Sequence, residues 1–421
     1  MLLKRLPSDA VGSLERVAVD PAARNVARRI AGEVRAGGES ALRGLAIELD
    51  GLEDGHALFV DRAGLSNALE RIDAETRGVL ERTARRIEAF ARAQREALRD
   101  LDLPIPGGVA SHRFLPLSAA GCYAPGGRHP LPSSVLMTAV TARVAGVPAV
   151  WVASPRPAPA TLAAAAIAGA DGLLAAGGAQ AVAALAGGVG PIPACDVIVG
   201  PGNKYVTAAK EQVASERAID MLAGPSELLV VADGSADPTT VAADLLGQAE
   251  HDDDAVPMLV ALDGLDLERI EAELEAQLVD LPTAPTARRA LENGFAVAAR
   301  SREEARQLCE ALAPEHLQLS IAEASEFGRA LTRYGALFIG EHAAEVLGDY
   351  GAGPNHVLPT GGSARTEAGL SVLTFLRART QLSIDDPRAA RETIEDAVSL
   401  ARIEGLEAHA RAAERRRPCD R

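Results

Sequence analysis

The chain is short of what several protein classes need. Aromatic residues make up only 3% of it, too few for a surface that grips nucleic acid by stacking bases on rings. Positive charge is also scarce. Lys and Arg number 43 against 58 Asp and Glu, for a formal net charge of -15. A phosphate-binding surface needs the opposite balance, so nucleic acid is excluded as the main partner. Of the four cysteines (Cys122, Cys195, Cys309 and Cys419), none forms a CxxC pair. That argues against a disulfide scaffold or a thiolate metal cluster, and it fits a reducing, cytoplasmic setting. Long apolar runs are missing too. The small-residue tract at 158–188 is broken by Asp171, Gln180 and several glycines, so it does not read as a membrane span. No apolar stretch follows Met1-Leu2-Leu3-Lys4-Arg5, so neither a targeting segment nor a membrane partner is expected.

What is present describes a soluble globular protein. Its 421 residues are 48% hydrophobic and 24% charged, with room for more than one core. Apolar residues recur at helical spacing over 22–49 and 66–101. Leu69, Ile72, Val79, Leu80, Ile87, Phe90 and Leu98 approximate one stripe, as on surface helices that cover a sheet. Pro104-Ile105-Pro106-Gly107-Gly108 marks a break. Beyond it, strands are expected at 147–153, 172–175, 197–199, 227–232 and 256–262, alternating with helices. A second helical section at 284–312 leads to a strand at 336–339. This alternation predicts an α/β protein with parallel sheets and helices on both faces, arranged as two doubly wound, Rossmann-like units. The tail after Leu370 reads as helical and charged, an appended arm.

Several places could carry chemistry. A loop dense in glycine and proline, 348–362, holds Asp349, Asn355 and His356. It suits neither a helix interior nor a core strand. A metal site or a proton-transfer site would explain its carboxylate and imidazole. Gln248 and His251 stand three residues apart on an expected helix and so share a face. That spacing suits zinc or a similar divalent ion, and it equally suits capping. Pro314 precedes the adjacent pair Glu315 and His316. Such a pair can divide acid–base work, or it can simply open a helix. Glu404 and His409 in the tail read as a solvated helix or as a further ligand pair. Gly200-Pro201-Gly202-Asn203 follows a strand and opens a helix, which suits anion binding by backbone N–H groups. The segment 121–127 and Gly177-Gly178-Ala179-Gln180 are further junctions of this kind. No GxGxxG is present, so tight turns remain the plain alternative. Cys122, between Gly121 and Tyr123, is either a buried thiol or a nucleophile.

Taken in order, these segments resemble the histidinol dehydrogenase family. The resemblance covers almost the whole chain. It runs through Gly126-Gly127, Pro132-Ser133-Ser134-Val135-Leu136-Met137, Gly177-Gly178-Ala179-Gln180-Ala181, Val199-Gly200-Pro201-Gly202-Asn203 and Ala223-Gly224-Pro225-Ser226-Glu227. It continues through Gln248-Ala249-Glu250-His251, Pro314-Glu315-His316-Leu317, Gly348-Asp349-Tyr350 to Thr360, and Glu404-Gly405-Leu406 with His409-Ala410. Each is weak alone; their joint order is specific.

The resemblance implies a homodimer with one Zn2+ per active site, held by Gln248, His251, Asp349 and His409. It implies a catalytic pair, Glu315 and His316. The substrate, L-histidinol, would touch Ser226, His316, His356 and Glu404 together with the ligands Gln248, His251, Asp349 and His409. NAD+ would touch Tyr123, Gln180 and Asn203. Residues 1–18 would be a short leading segment. Residues 19–122 with 228–371 would form the domain carrying the zinc and catalytic site, and 123–227 an inserted NAD-binding domain. The arm at 372–421 would cross to the partner subunit, so that Glu404 and His409 complete the neighbour's site. The implied reaction is a four-electron oxidation of L-histidinol through the aldehyde to L-histidine with two NAD+. A related zinc- and NAD-dependent enzyme for another polar primary alcohol is the alternative. A metal-dependent hydrolase using Glu315 to activate water is a more distant one.

Overall fold

The computed structural model describes residues 2–14, 19–53, 55–126 and 130–418. Gly127 of the first glycine motif and Cys419 fall outside them. The chain divides into two compact units. The larger takes Met1–Ala93 and Leu117–Phe375, the smaller Gln94–Pro116 and Leu376–Arg421.

Two six-stranded sheets form the frame of the larger unit. The first orders its strands Phe59–Asp61, Gly172–Leu174, Ala149–Ala153, Ala119–Tyr123, Val197–Val199, Ala218–Ile219. Every pairing in it is parallel except that of Phe59–Asp61. The second runs Lys4–Arg5, Phe295–Ala298, Val256–Ala261, Glu227–Ala232, His316–Ser320, Ala336–Ile339, and is parallel throughout. In chain order, each contains five strands arranged third, second, first, fourth, fifth, with an earlier strand added beside the third. The two α/β units of similar layout expected from the sequence are both present. Their central strands are apolar runs because parallel strands are covered on both faces. Leu228, Leu229, Val230 and Val231 are all fully buried.

Local signals start the helices that cover these sheets. Asp20 accepts hydrogen bonds from the N–H groups of Ala22 and Ala23 and places Pro21 in the first turn of helix Pro21–Asp50. Asp237 does the same for Pro238–Ala249. Both combine an N-cap oxygen with a proline whose missing N–H costs nothing there. None of the described helices is long and apolar enough to cross a membrane.

Sheet membership departs from the expected division. Phe59–Asp61 and Ala119–Tyr123 join the sheet of residues 119–219, and helix Pro21–Asp50 packs on Gly178–Gly187 and Lys204–Val213. Much of 19–122 therefore belongs structurally with 123–227 instead of 228–371. A helical stripe reveals a helix, not the sheet it covers. The leading segment is no loose end either, since Lys4 and Arg5 pair with Phe295 and Ala296. The expected helical section at 284–312 contains the core strand Phe295–Ala298 between helices Ala284–Asn293 and Arg302–Leu312. At four residues, that strand is too short for periodicity to separate it from its helical flanks.

The smaller unit corrects the tail. Leu376–Ile384 is a strand that pairs antiparallel with Gly108–Pro116, which pairs in turn with Leu101–Ile105. Only after it come helices Arg391–Ile403 and Glu407–Glu414. High charge suggested a helix, but alternation along Leu376-Arg377-Ala378-Arg379-Thr380 is the pattern of a half-exposed strand.

Candidate active site

The two central strands of the second sheet start side by side, with Leu228 in register with His316. Pro314, Glu315 and His316 therefore open a strand, not a helix. Ala313, in the left-handed region (φ 45°), ends helix Arg302–Leu312 and turns the chain into it. Ser226, Glu227, Glu315 and His316 gather at the amino ends of this pair. Glu315 Oε2 accepts hydrogen bonds from Ser226 Oγ and from the Glu227 N–H, both at 2.8 Å. His316 Nδ1 lies 3.0 Å from the Glu227 carbonyl oxygen. A carbonyl only accepts, so Nδ1 carries the hydrogen and the neutral ring keeps its lone pair on Nε2. That atom is buried and has no hydrogen-bond partner among the described residues. Asp349 Oδ1 is 3.6 Å away.

A second group of side chains stands beside the first. Helix Pro238–Ala249 runs back against its strand, so Gln248 in its last turn and His251 just beyond reach the same end of the sheet. The short helix Glu345–Asp349 brings in two carboxylates. His251 Nε2 lies 3.4 Å from Asp349 Oδ2 and 3.9 Å from Glu345 Oε1. One ligand atom from each of His251, Glu345 and Asp349 lies within 4.8 Å of the others. Gln248 is fully buried, and neither Oε1 nor Nε2 has a partner among the described residues. Leaving such a group unsatisfied costs about 1–3 kcal/mol. A divalent ion on Oε1 would meet that need, and this oxygen, nitrogen and carboxylate set suits zinc. Glu345 was missed in the sequence. Its one signal was the four-residue spacing to Asp349, which sets two carboxylates on one helical face.

Burial and charge tune this cluster. Burial pushes Glu315 up to about 7, against the pull of the His316 charge and the bonds from Glu227 and Ser226. Glu345 is pushed up to about 7 for the same first reason. Burial alone would lower His316, but Glu315, Glu345 and Asp349 outweigh it and carry the imidazole up to about 10. Burial also works against the Asp349 carboxylate, yet the neighbouring imidazoles of His251 and His316 hold it far below the usual range. Without a metal the site is therefore an imidazolium among carboxylates.

This gives the metal-free protein a defined pH response. Folded Glu315 and His316 bind their protons more tightly than the unfolded chain does, about 7 against 4.5 and about 10 against 6.5. Their contribution is complete below the unfolded values and is lost as pH rises through the folded ones. Asp349 has the opposite sign, but its loss comes only in acid, below 3.8. In chelator, the melting temperature should fall steadily from pH 6.5 to 10. A rise across that window in calorimetry would contradict the cluster's electrostatics.

The remaining expected residues are spread more widely. His356 Nδ1 donates to the Asp349 carbonyl at 2.9 Å, and Nε2 faces Ser134 Oγ at 3.3 Å. This links the 348–362 loop to helix Pro132–Ala145, a role for Ser134 that the sequence did not reveal. Tyr123, Gln180 and Asn203 lie at the carboxyl ends of the first sheet's strands, around the point where strand order reverses. The Tyr123 hydroxyl accepts from the Gly178 N–H at 3.2 Å. Gln180 Nε2 donates to Asp50 at 3.0 Å, and Asn203 Oδ1 caps helix Lys204–Val213. Glu404 and His409 are exposed on the smaller unit. Gly405 (φ 75°) breaks the chain between them, so Glu404 ends helix Arg391–Ile403 and His409 lies in the next helix, Glu407–Glu414. Cys122 is fully buried, and burial pushes its thiol up to about 12. A thiol held neutral and out of reach is no nucleophile.

Comparison with known proteins adds four findings. A family model described as histidinol dehydrogenase matches residues 15–417. The histidinol dehydrogenase of Thermus thermophilus is 47% identical, over 94% of this chain and 95% of its own. That of Haloarcula marismortui is 42% identical over 97% of each. Among solved structures, histidinol dehydrogenase from Elizabethkingia anophelis superposes with a TM-score of 0.91 at 30% identity, covering 99% of this chain and 98% of the other.

Proposed function

This chain belongs to the histidinol dehydrogenase family, and from that membership we propose how its own residues oxidise L-histidinol through the aldehyde to L-histidine with two NAD+. It is an NAD-dependent oxidoreductase of histidine biosynthesis. The observation that carries the residue assignment is the Glu315–His316 pair, buried beside an unsatisfied Gln248 and a His251–Asp349 pair.

Gln248, His251 and Asp349 would hold zinc, with His409 delivered by a second copy. When bound, the ion supplies a fixed anchor for the substrate's imidazole and amine. With Asp349 committed to a metal, His316 loses one of the three carboxylates that hold its proton, and Nε2 becomes a base. In the first oxidation, hydride leaves the carbinol carbon for the nicotinamide while His316 Nε2 takes the hydroxyl proton. Glu315, with its acidity set near neutrality, then takes a proton from the water that attacks the aldehyde. A second hydride passes from the resulting hydrate to the second NAD+ as a hydrate hydroxyl gives its proton to His316 Nε2, and the acid forms. Ser226, His356 and Glu404 position the substrate, and Tyr123, Gln180 and Asn203 hold NAD+.

The smaller unit supports a second copy of the chain as partner. Leu103 and Leu382 flank Ala110 in one cross-strand row of its sheet, and Ile105 and Ile384 flank Gly108 in the next on the same face. Leu103 is 54% and Leu382 70% exposed. Apolar surface of this kind favours being covered. A reduced, cytoplasmic setting suits the buried free thiols of Cys122, Cys195 and Cys309.

The direct test is a spectrophotometric assay with L-histidinol as sole substrate. About two NADH should form per L-histidinol consumed, as a four-electron oxidation requires, and a chelator should stop both oxidations. Turnover of another polar primary alcohol in preference to L-histidinol would replace the substrate. Full activity after metal removal would replace the site.

A further inference from the structure

We propose that a buried ion pair, Lys210 with Asp220, is a positioning device that holds the nucleotide-binding turn in shape before NAD+ arrives. The inference rests on Asn203 being a cofactor contact. Lys210 lies in the last turn of helix Lys204–Val213, and Asp220 follows the edge strand Ala218–Ile219. Their side chains are 2% and 0% exposed. Asp220 Oδ2 accepts from the Gly200 N–H at 2.7 Å, and Lys210 Nζ donates to the Gly200 carbonyl at 3.1 Å. Both polar backbone groups of one residue are thus tied to the pair. Asp220 Oδ1 also accepts from the Met221 N–H at 2.7 Å.

Gly200 is where such a clamp matters. It sits at φ +117°, and a Cβ there would lie 1.9 Å from the Tyr123 carbonyl oxygen. Only glycine fits this close passage of one strand end against the next. Glycine is also the residue with most freedom to leave such a conformation. The turn then delivers Asn203 to the helix start. One turn on, Thr207 Oγ1 donates to the Ala223 carbonyl at 2.7 Å, joining the same helix to the segment that carries Ser226. A buried ion pair contributes little stability beyond what well-packed apolar side chains would give. Its use here lies in the two backbone groups it holds.

Two measurements decide the matter. The first uses the zinc-loaded wild type in hydrogen exchange. The Gly200 amide should exchange slowly both without nucleotide and with NADH. Fast exchange that slows only on adding NADH would overturn the proposal. The second uses the double variant Lys210→Met/Asp220→Asn, which removes both charges together and keeps an acceptor for Gly200. It should still fold, with a lower melting temperature for the bonds lost at the Gly200 carbonyl and the Met221 N–H, and bind L-histidinol unchanged, while its NADH dissociation constant rises about tenfold, as for one lost hydrogen bond. Wild-type affinity for NADH in a folded double variant would overturn it, as would parallel loss of NADH and L-histidinol. Should the variant not fold, the wild-type exchange experiment stands alone. A wild type that binds no NADH at all would instead remove the cofactor reading on which the proposal rests.

Discussion

Glu315→Gln is expected to slow oxidation of the aldehyde by about 10²–10⁴-fold while leaving oxidation of L-histidinol to the aldehyde nearly intact, the range typical of a lost general base. The substitution is close to isosteric. Its amide oxygen still accepts from Ser226 Oγ and the Glu227 N–H, the two bonds that fix the side chain. What it loses is the ability to take a proton from water. In the proposed mechanism the first oxidation depends on His316 Nε2 instead. Removing the Glu315 charge also removes the largest attraction holding a proton on that imidazole, which favours the neutral base. The reaction should therefore stall after one NADH per L-histidinol, with aldehyde trapped or released. Single-turnover measurements with the alcohol and with the aldehyde separate the two halves. Equal loss in both would remove the division of labour between Glu315 and His316.

Asp349→Ala is expected to weaken metal binding by more than about 100-fold, beyond what loss of an outer partner does. Asp349 faces His251 through one oxygen and His316 through the other. Its removal would delete a proposed ligand and free His251, whose proton affinity Asp349 helps to raise against the cost of burial. After dialysis, metal analysis should find the variant nearly empty and L-histidinol binding lost with it. Glu345→Gln is the control, because Glu345 stands farther from His251 than Asp349 does. Its metal loss should be smaller. Full metal retention by the Asp349 variant would take this residue out of the ligand set.

The sequence made some of this legible and hid the rest for identifiable reasons. Parallel β/α alternation was plain because buried parallel strands such as Glu227–Ala232 are unbroken apolar runs. His316–Ser320 and Phe295–Ala298 were not, since each is short and flanked by helix-like sequence. Gln248 with His251 and Glu315 with His316 stood out because two polar side chains share a spacing. Their convergence could not be read from spacing, because it depends on Leu228 lying in register with His316 and on a helix returning to that end of the sheet. Glu345 and Lys210 look like ordinary surface charges in the sequence. Only burial, at 5% and 2% exposure, sets them apart.

The order of synthesis has to reckon with the strand at Lys4–Arg5. Its hydrogen-bonding partner begins at Phe295, so this strand leaves the ribosome long before it can be seated. Until then one border of the second sheet is open, and open borders are where nascent chains adhere to each other. The seat is specific: Leu3 is 1% exposed, and the Glu271 carboxylate accepts from the N–H groups of Leu2 and Leu3 at 2.7 and 3.3 Å. A purification tag fused ahead of Leu2 would emerge beside that carboxylate and burden the seating of this strand.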